Sequence, residues 1–367
     1  MQIPGSARVD VHKLAAVFGD VTNSYKFYWL LSILDSLQER QESRMSMQDL
    51  SLRMLARVWY PLDFFKLSFG KQDSFKSVAA RISTIIQVDN RPSAPNLYAQ
   101  LRAQLSPEEL APLVGATRRL LDWVPYRFIR PFFALETRGL PDQRVNALVT
   151  QLTNGSFRAP YRIEGDFIKL HEPWRDYFQE HQLILRAYTQ WHIVRFLQKH
   201  NPHVIGLPQK LEKPGPEQRK LATAKRFWQS YLANTSNLAC IYSGQEVNLS
   251  NMSLDHFLPW SYVVHDLLWN IVPVPKAVNS AKSDWLPAWE YFPGFAKLQY
   301  AALSYHLRQP SHERLLEDYS LLLAPHFRDL HQLSFAQFEE QLAEQILPQL
   351  QMAQNLGFVY PFTYSSR

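Results

Sequence analysis

The sequence has little cysteine and little glycine. Its 367 residues include one cysteine, Cys240, and only 12 glycines beside 24 prolines. A single cysteine excludes a disulfide within the chain and any zinc site built from several thiolates. We expect Cys240 to be a small buried residue. Scarce glycine with abundant proline argues against a barrel or a glycine-rich nucleotide fold and favours helices that end abruptly.

Long hydrophobic runs and a targeting segment are also missing. No run of about eighteen apolar residues occurs, so no membrane span is expected. The start, MQIPGSARVD, lacks the features of a secretory signal peptide. We therefore expect a cytoplasmic protein with no membrane partner. Hydrophobic residues at 46% and charged residues at 20% are typical of a folded chain. The net charge of +6 is compatible with a polyanionic partner but does not require one.

The first two hundred residues indicate helices with one short hairpin. Ser46 begins a capping-box pattern, and a Ser-Pro-Glu start predicts a helix over 106–123. Apolar and polar residues alternate on both sides of Gly165, which predicts a β-hairpin. After Pro173 one long helix is predicted, ending before residue 201. The fold class is therefore mostly α, or α+β.

A composition change divides the chain. Residues 206–218, GLPQKLEKPGPEQ, contain three prolines and two glycines, so we place the main boundary there. The last helix is predicted to start at Ser334, with Gln337 in capping-box spacing and a break or kink near Pro348. The predicted divisions are a helical targeting, regulatory or partner-binding region over 1–207, a linker over 208–216, a compact unit over 217–290 and packed C-terminal helices over 291–367.

A polar series occupies residues 254–284, LDHFLPWSYVVHDLLWNIVPVPKAVNSAKSD. Asp255 and His256 are adjacent, and three further polar residues follow at short intervals: Asn270, Asn279 and Lys282. Packing alone does not require such a series. The surrounding pattern predicts a strand at 240–242, a turn at 243–245, a second strand ending at His256, a third in WNIVPVP, and a helix over 276–284.

These residues resemble the HNH endonucleases, and most closely the HNH domain of the RNA-guided CRISPR effector nucleases. The phrases YSG, DHFLPWS, WNIVP and NSAKSD carry the resemblance, which covers about residues 217–290. It implies a ββα-metal unit with the Asp-His pair on a strand and Asn279 on the helix. Ser243 stands where many members have a second cysteine, so no structural zinc is expected.

The resemblance and the chemistry of phosphodiester hydrolysis together assign roles. His256 is the candidate general base, because an imidazole can take a proton from water at neutral pH. Asp255 and Asn279 are the candidate oxygen ligands for Mg²⁺ or Mn²⁺. Asn270 is interpreted as an orienting brace. Lys282 is interpreted equally as a phosphate contact or as a lysine on the helix surface.

Other polar residues leave alternatives open. His265-Asp266 is interpreted as a loop-capping aspartate beside a partly exposed histidine rather than as a second acid–base pair. One basic group, on a predicted amphipathic helix, either contacts phosphate or is a solvated face: Arg219, Lys220, Lys225 and Arg226. A second group either lines a nucleic-acid groove or forms internal ion pairs: Arg118, Arg119, Arg127 and Arg130.

The resulting hypothesis is a metal-dependent endonuclease that nicks or cuts DNA, in bacterial phage defence or restriction of foreign DNA. One alternative is an RNA or tRNA nuclease, or a toxin. Another is a non-catalytic subunit that binds nucleic acid or protein on the same scaffold. DNA is the expected partner, RNA is possible, and other subunits of a defence complex or a second copy are further candidates.

Overall fold

The computed structural model describes residues 2–19, 21–40, 42–85, 92–104, 121–213, 215, 219–323 and 326–365. The helix predicted over 106–123 lies mostly outside this set, and so do Arg118 and Arg119. The chain forms two compact units. The N-terminal unit comprises residues 1–202 and 207–213, and the C-terminal unit comprises 203–206 and 214–367. Helices dominate both units, with a few small sheets, so the predicted fold class is confirmed.

Nine helices and three strands of the N-terminal unit lie within its described residues. The helices are α1 Val11–Ala16, α2 Tyr25–Arg40, α3 Met47–Asp63, α4 Phe75–Ile85, α5 Ala94–Gln104, α6 Val124–Ile129, α7 Asp142–Asn154, α8 Glu172–Glu180 and α9 Gln182–His200. The strands are β1 Arg44–Ser46, β2 Tyr161–Glu164 and β3 Phe167–Leu170.

Local signals explain several of these elements. The Ser46 hydroxyl accepts the Asp49 amide at 3.4 Å and so caps α3. Strands β2 and β3 form the predicted hairpin around Gly165, whose φ of 60° suits glycine. The single helix predicted after Pro173 is wrong. It is two helices, because the chain leaves helical geometry at His181, with φ −107° and ψ 21°.

The C-terminal unit contains the predicted polar series. Its described helices are α10 Ala222–Ala233, α11 Trp260–Val263, α12 Lys276–Lys282, α13 Phe292–Leu307, α14 Glu317–Leu323, α15 Phe327–Leu330 and α16 Phe335–Leu356. Its described strands are β4 Leu238–Ala239, β5 Glu246–Val247, β6 Met252–His256 and β7 Ile271–Pro275.

Two strand pairs and one helix frame the polar series. Strands β6 and β7 are antiparallel, with His256 opposite Ile271, and α12 follows β7 directly. The strand predicted at 240–242 is wrong, because that segment belongs to a turn. The Cys240 amide donates to the Gln245 carbonyl at 2.8 Å, and the strand lies two residues earlier, at β4.

The core of the C-terminal unit mixes these strands with the flanking helices. Trp228 on α10 and Gln299 on α13 both donate side-chain hydrogen bonds to the Ile271 carbonyl of β7, at 3.1 and 2.8 Å. Cys240 is buried in this core, as predicted. Helix α16 begins with the predicted capping box at Ser334 and continues past Pro348 without a break. None of the described helices is long and apolar enough to span a membrane.

Candidate functional site

Asp255 is a buried carboxylate with two fixed partners. Its Oδ1 accepts a hydrogen bond from Lys282 Nζ at 3.1 Å, and its Oδ2 accepts one from the Tyr242 hydroxyl at 2.9 Å. Only 3% of Asp255 is exposed. Burial, together with the nearby Asp255 charge, raises the pKa of the Tyr242 hydroxyl well above its usual range. Tyr242 therefore stays protonated and remains a donor to the carboxylate.

Lys282 is enclosed rather than exposed. It has no solvent-accessible surface, and its ammonium also donates to the His256 carbonyl at 2.7 Å. The interpretation as a lysine on the helix surface is wrong, because the charge of Asp255 draws the side chain inward. In this arrangement the ammonium ties α12 to the end of β6 and does not face solvent.

His256 is held by a second carboxylate. Its Nε2 lies 2.9 Å from Asp266 Oδ1, and Asp266 Oδ2 accepts the Lys220 backbone amide at 2.5 Å. Burial acts to raise the pKa of Asp266, but the hydrogen bonds from His256 and Lys220 outweigh it and hold that pKa below its usual value. An ionised carboxylate only accepts, so Nε2 carries a proton, and in a neutral imidazole Nδ1 is then the acceptor nitrogen.

Asn279 presents an oxygen because its nitrogen is engaged. Its Nδ2 donates to Ser253 Oγ at 2.7 Å and to the Leu254 carbonyl at 3.1 Å, both on β6. These two bonds fix the orientation of the amide and leave Oδ1 as its acceptor group. Asn279 and Lys282, one helical turn apart on α12, therefore both bind to β6.

Asn270 closes the loop between β6 and β7. It is fully buried, and its side chain accepts the Leu258 amide at 2.8 Å and donates to the Leu258 carbonyl at 2.9 Å. Its own carbonyl accepts the Phe257 amide at 2.8 Å. These bonds fix the chain immediately after the Asp255-His256 pair.

The predicted basic residues fall in different places. Arg219 lies 4.8 Å above the Trp260 ring, and Lys220 follows it beside Asp266. Lys225 and Arg226 are exposed on α10. In the N-terminal unit, Arg127 and Arg130 both form ion pairs with Asp142. This agrees with the second of their two interpretations, internal ion pairs.

The donor set at this site suits a hard divalent cation. The described residues contain no cluster of three or more His, Cys, Asp or Glu side chains with ligand geometry. Each carboxylate oxygen of Asp255 accepts one hydrogen bond and keeps a further lone pair that could bind a cation. The Asn279 nitrogen donates both of its hydrogen bonds, so the amide oxygen is its remaining ligand atom. Oxygen ligands of this kind fit Mg²⁺ or Mn²⁺ better than a thiophilic metal.

A comparison with protein families agrees with this geometry. Residues 240–288 match the HNH endonucleases. The predicted resemblance is thus confirmed for this part of the chain, which we call the HNH segment. The HNH segment contains every residue of the polar series, and the match indicates a nuclease. No curated protein and no solved structure matches the chain.

Two residues at the site were not predicted from the sequence. The sequence pattern predicts that Asp266 caps a loop beside His265, whereas its side chain contacts His256. Tyr242 belongs to the phrase YSG and to the strand predicted at 240–242, but neither pattern predicts its bond to Asp255. The sequence signal for Asp266 was present in the His265-Asp266 pair, but the partner was wrongly chosen.

Proposed function

We propose that the chain is a Mg²⁺- or Mn²⁺-dependent endonuclease that hydrolyses phosphodiester bonds of DNA. The observation that supports this most is the state of His256. Its Nε2 is fixed on Asp266 at 2.9 Å, and the buried Asp255 precedes it on the same strand, inside the segment that matches HNH endonucleases. An oriented imidazole, together with oxygen ligands for a divalent cation, is what hydrolysis of a phosphodiester requires.

His256 acts as the general base. Its Nδ1 takes one proton from a water molecule as the water oxygen attacks phosphorus, and the bond between phosphorus and the 3′ oxygen breaks. The departing 3′ oxygen takes a proton from solvent, and His256 then releases its own proton to solvent. The products carry a 5′-phosphate and a 3′-hydroxyl. Asp266 keeps the proton on Nε2 throughout, so that Nδ1 is available when the water arrives.

Asp255 and Asn279 would hold the metal ion. When bound, a divalent ion supplies charge neutralisation at the phosphate. Lys282 and Tyr242 position the Asp255 carboxylate by bonding one oxygen each. This positioning role replaces the phosphate contact predicted for Lys282, because the ammonium is enclosed. Asn270 fixes the loop that follows the catalytic strand.

Arg219 and Lys220 are proposed to contact the nucleic-acid backbone. Both are exposed, and Asp266 joins their segment to the general base. Cations next to the reacting phosphate favour binding of a polyanion. The N-terminal unit is proposed to target or regulate cleavage, and restriction of foreign DNA such as phage is the proposed setting. That setting rests on analogy with the family.

The test is cleavage of supercoiled plasmid and of total RNA by the full-length protein with Mg²⁺, with Mn²⁺ and with EDTA. We expect metal-dependent nicking of plasmid that His256→Ala lowers by at least about 100-fold, as loss of a general base does. His326→Ala is the matched control, since His326 is an exposed histidine of the same unit.

Two outcomes would favour the alternatives. Cleavage of RNA without nicking of plasmid would assign the site to an RNA or tRNA nuclease. Binding of DNA without cleavage in any metal, and without an effect of His256→Ala, would assign it to a non-catalytic binding subunit. Activity that persists in EDTA would contradict the metal-dependent mechanism.

A further inference from the structure

The N-terminal unit contains a basic cavity that the HNH segment does not explain. Its volume is about 800 Å³, within the range of roughly 300–1,000 Å³ that small-molecule sites occupy. Residues at or just before the first turns of α2, α4, α6 and α7 line it. Among the residues that the structure describes, the charged ones in the lining are Lys26, Arg127, Arg130, Arg138 and Asp142.

Positive charge exceeds negative charge in this lining. Asp142 uses both of its oxygens, one on Arg127 at 2.7 Å and one on Arg130 at 3.0 Å. One carboxylate cannot neutralise two guanidinium groups, and Arg138 adds a further cation to the described lining. Each guanidinium has five N–H donors, so Arg127 and Arg130 keep donors after pairing with Asp142.

Neighbouring groups give the cavity an aromatic wall and several hydroxyls. The Arg127 guanidinium lies 4.8 Å above the Trp123 ring, which restricts where its fork can point. Tyr25 and Ser74, hydrogen-bonded to each other, also line the cavity. Asp73 already accepts the backbone amides of Ser24 and Phe75 at the starts of α2 and α4. The side-chain cations, rather than free helix ends, therefore provide the attraction for an anion.

We propose that this cavity binds a small phosphorylated ligand of the nucleotide class. Planar guanidinium forks match phosphate oxygens in pairs, and the shared Asp142 holds two forks in place before the ligand arrives. Several elements line the space, and its volume suits a compact anion rather than a long strand. The ligand phosphate binds to Arg127, Arg130 and Arg138, and Trp123 bounds the space for the remainder.

Calorimetric titration of the full-length protein tests this proposal. ATP and inorganic pyrophosphate are the probes, at up to about 1 mM and in EDTA, so that the metal site plays no part. Adenosine is the ligand control. We expect both phosphorylated probes to bind, and Arg127→Gln and Arg138→Gln each to weaken binding by about tenfold, the effect of losing one charge-assisted hydrogen bond.

The controls separate this site from nuclease activity. Arg195→Gln, an exposed arginine on α9 outside the lining, should leave binding unchanged, and so should His256→Ala. The proposal is overturned if neither phosphorylated probe binds or if adenosine binds as tightly as ATP. It is equally overturned if Arg195→Gln weakens binding as much as Arg138→Gln does, or if only single-stranded DNA binds in an Arg127-dependent manner.

Discussion

Asp266 sets the state of a single imidazole, and its substitution should affect turnover more than substrate binding. Asp266→Asn keeps the size of the side chain but lets an amide donate to Nε2, which favours the wrong tautomer of His256. We expect kcat to fall at least about tenfold with little change in KM, and Asp266→Glu to retain more activity than Asp266→Asn. Nitrogen-15 spectra of labelled histidine should register the change of tautomer.

Asp318 offers a matched control for Asp266. Its carboxylate accepts the Leu268 backbone amide at 2.9 Å, as Asp266 accepts that of Lys220, but it has no hydrogen bond to a histidine. Asp318→Asn should leave kcat and the His256 tautomer unchanged. If both substitutions lower kcat equally, Asp266 is only a loop cap.

Removal of one partner from the buried pair of Lys282 and Asp255 should lower the free energy of unfolding substantially. Lys282→Met leaves the Asp255 carboxylate enclosed without its cation, a change that costs about 3–5 kcal/mol in other buried pairs. We expect urea unfolding to register a loss of that size. Lys297→Met, at an exposed position on α13, should change the free energy of unfolding by less than about 0.5 kcal/mol. Equal effects would show that the pair is unimportant.

Residues adjacent in the sequence were easier to predict than residues joined by a loop. The Asp255-His256 pair was visible because the motif is continuous in the chain. The contact of Asp266 with His256 depends on the path of the loop between them, which no periodicity encodes. The inward position of Lys282 was missed for another reason: a lysine on a short helix is usually solvated, and the charge that buries it lies on a different element.

The segment before α10 should influence substrate affinity more than the exposed face of α10 does. Arg219→Gln with Lys220→Gln removes two cations next to Asp266, yet the bond from the Lys220 amide survives because it belongs to the backbone. We expect KM for DNA to rise and the salt dependence of log K to weaken by about 0.7–0.9 per lost phosphate contact. Cleavage assays between low and moderate salt would measure both.

The matched control is the double variant Lys225→Gln with Arg226→Gln, which removes the same number of positive charges from the exposed face of α10. A smaller effect of this pair than of the first would place the nucleic acid beside Trp260 and Asp266. If the two pairs weaken binding equally, the effect is one of net charge alone, and the proposed contact at Arg219 and Lys220 is wrong.

Elements with local end signals were predicted, and those without them were not. Ser46, Gly165 and Ser334 each mark a cap or a turn by their own chemistry, and the structure places a cap or turn at each. The interruption at His181 carries no proline or glycine, so no local pattern predicts it. Strand β4, with two residues, is too short for an alternating pattern to reveal.

The two units should respond oppositely to mild acid. Burial raises the pKa of Asp73 to about 6, above its unfolded value near ~3.9, so its contribution to stability is present at low pH and is lost as the pH rises towards 6. Burial lowers the pKa of His306 to about 4, below its unfolded value near ~6.5, so its contribution is lost as the pH falls through that window. Asp73 lies in the N-terminal unit and His306 in the C-terminal unit.

Hydrogen exchange resolved by peptide would measure this difference. Between pH 7 and pH 5 we expect the C-terminal unit to lose protection relative to the N-terminal unit, after correction for the intrinsic exchange rate, by about 3 kcal/mol. Asp73→Asn and His306→Gln should each flatten the response of their own unit. A response that both variants leave unchanged would assign the pH dependence to other groups.

The HNH segment and the helices that follow it share one core around β7, which limits how easily the segment can be moved to another protein. The Leu286 amide donates to the Val359 carbonyl, and the Phe362 amide donates to the Leu286 carbonyl. These two bonds connect the segment after α16 to the residues just after α12. A fragment that ends at residue 290 would lack α13 and α16, and the apolar residues that pack against these helices would be exposed to solvent. Moving the HNH segment to another scaffold therefore requires the helices that share its core as well.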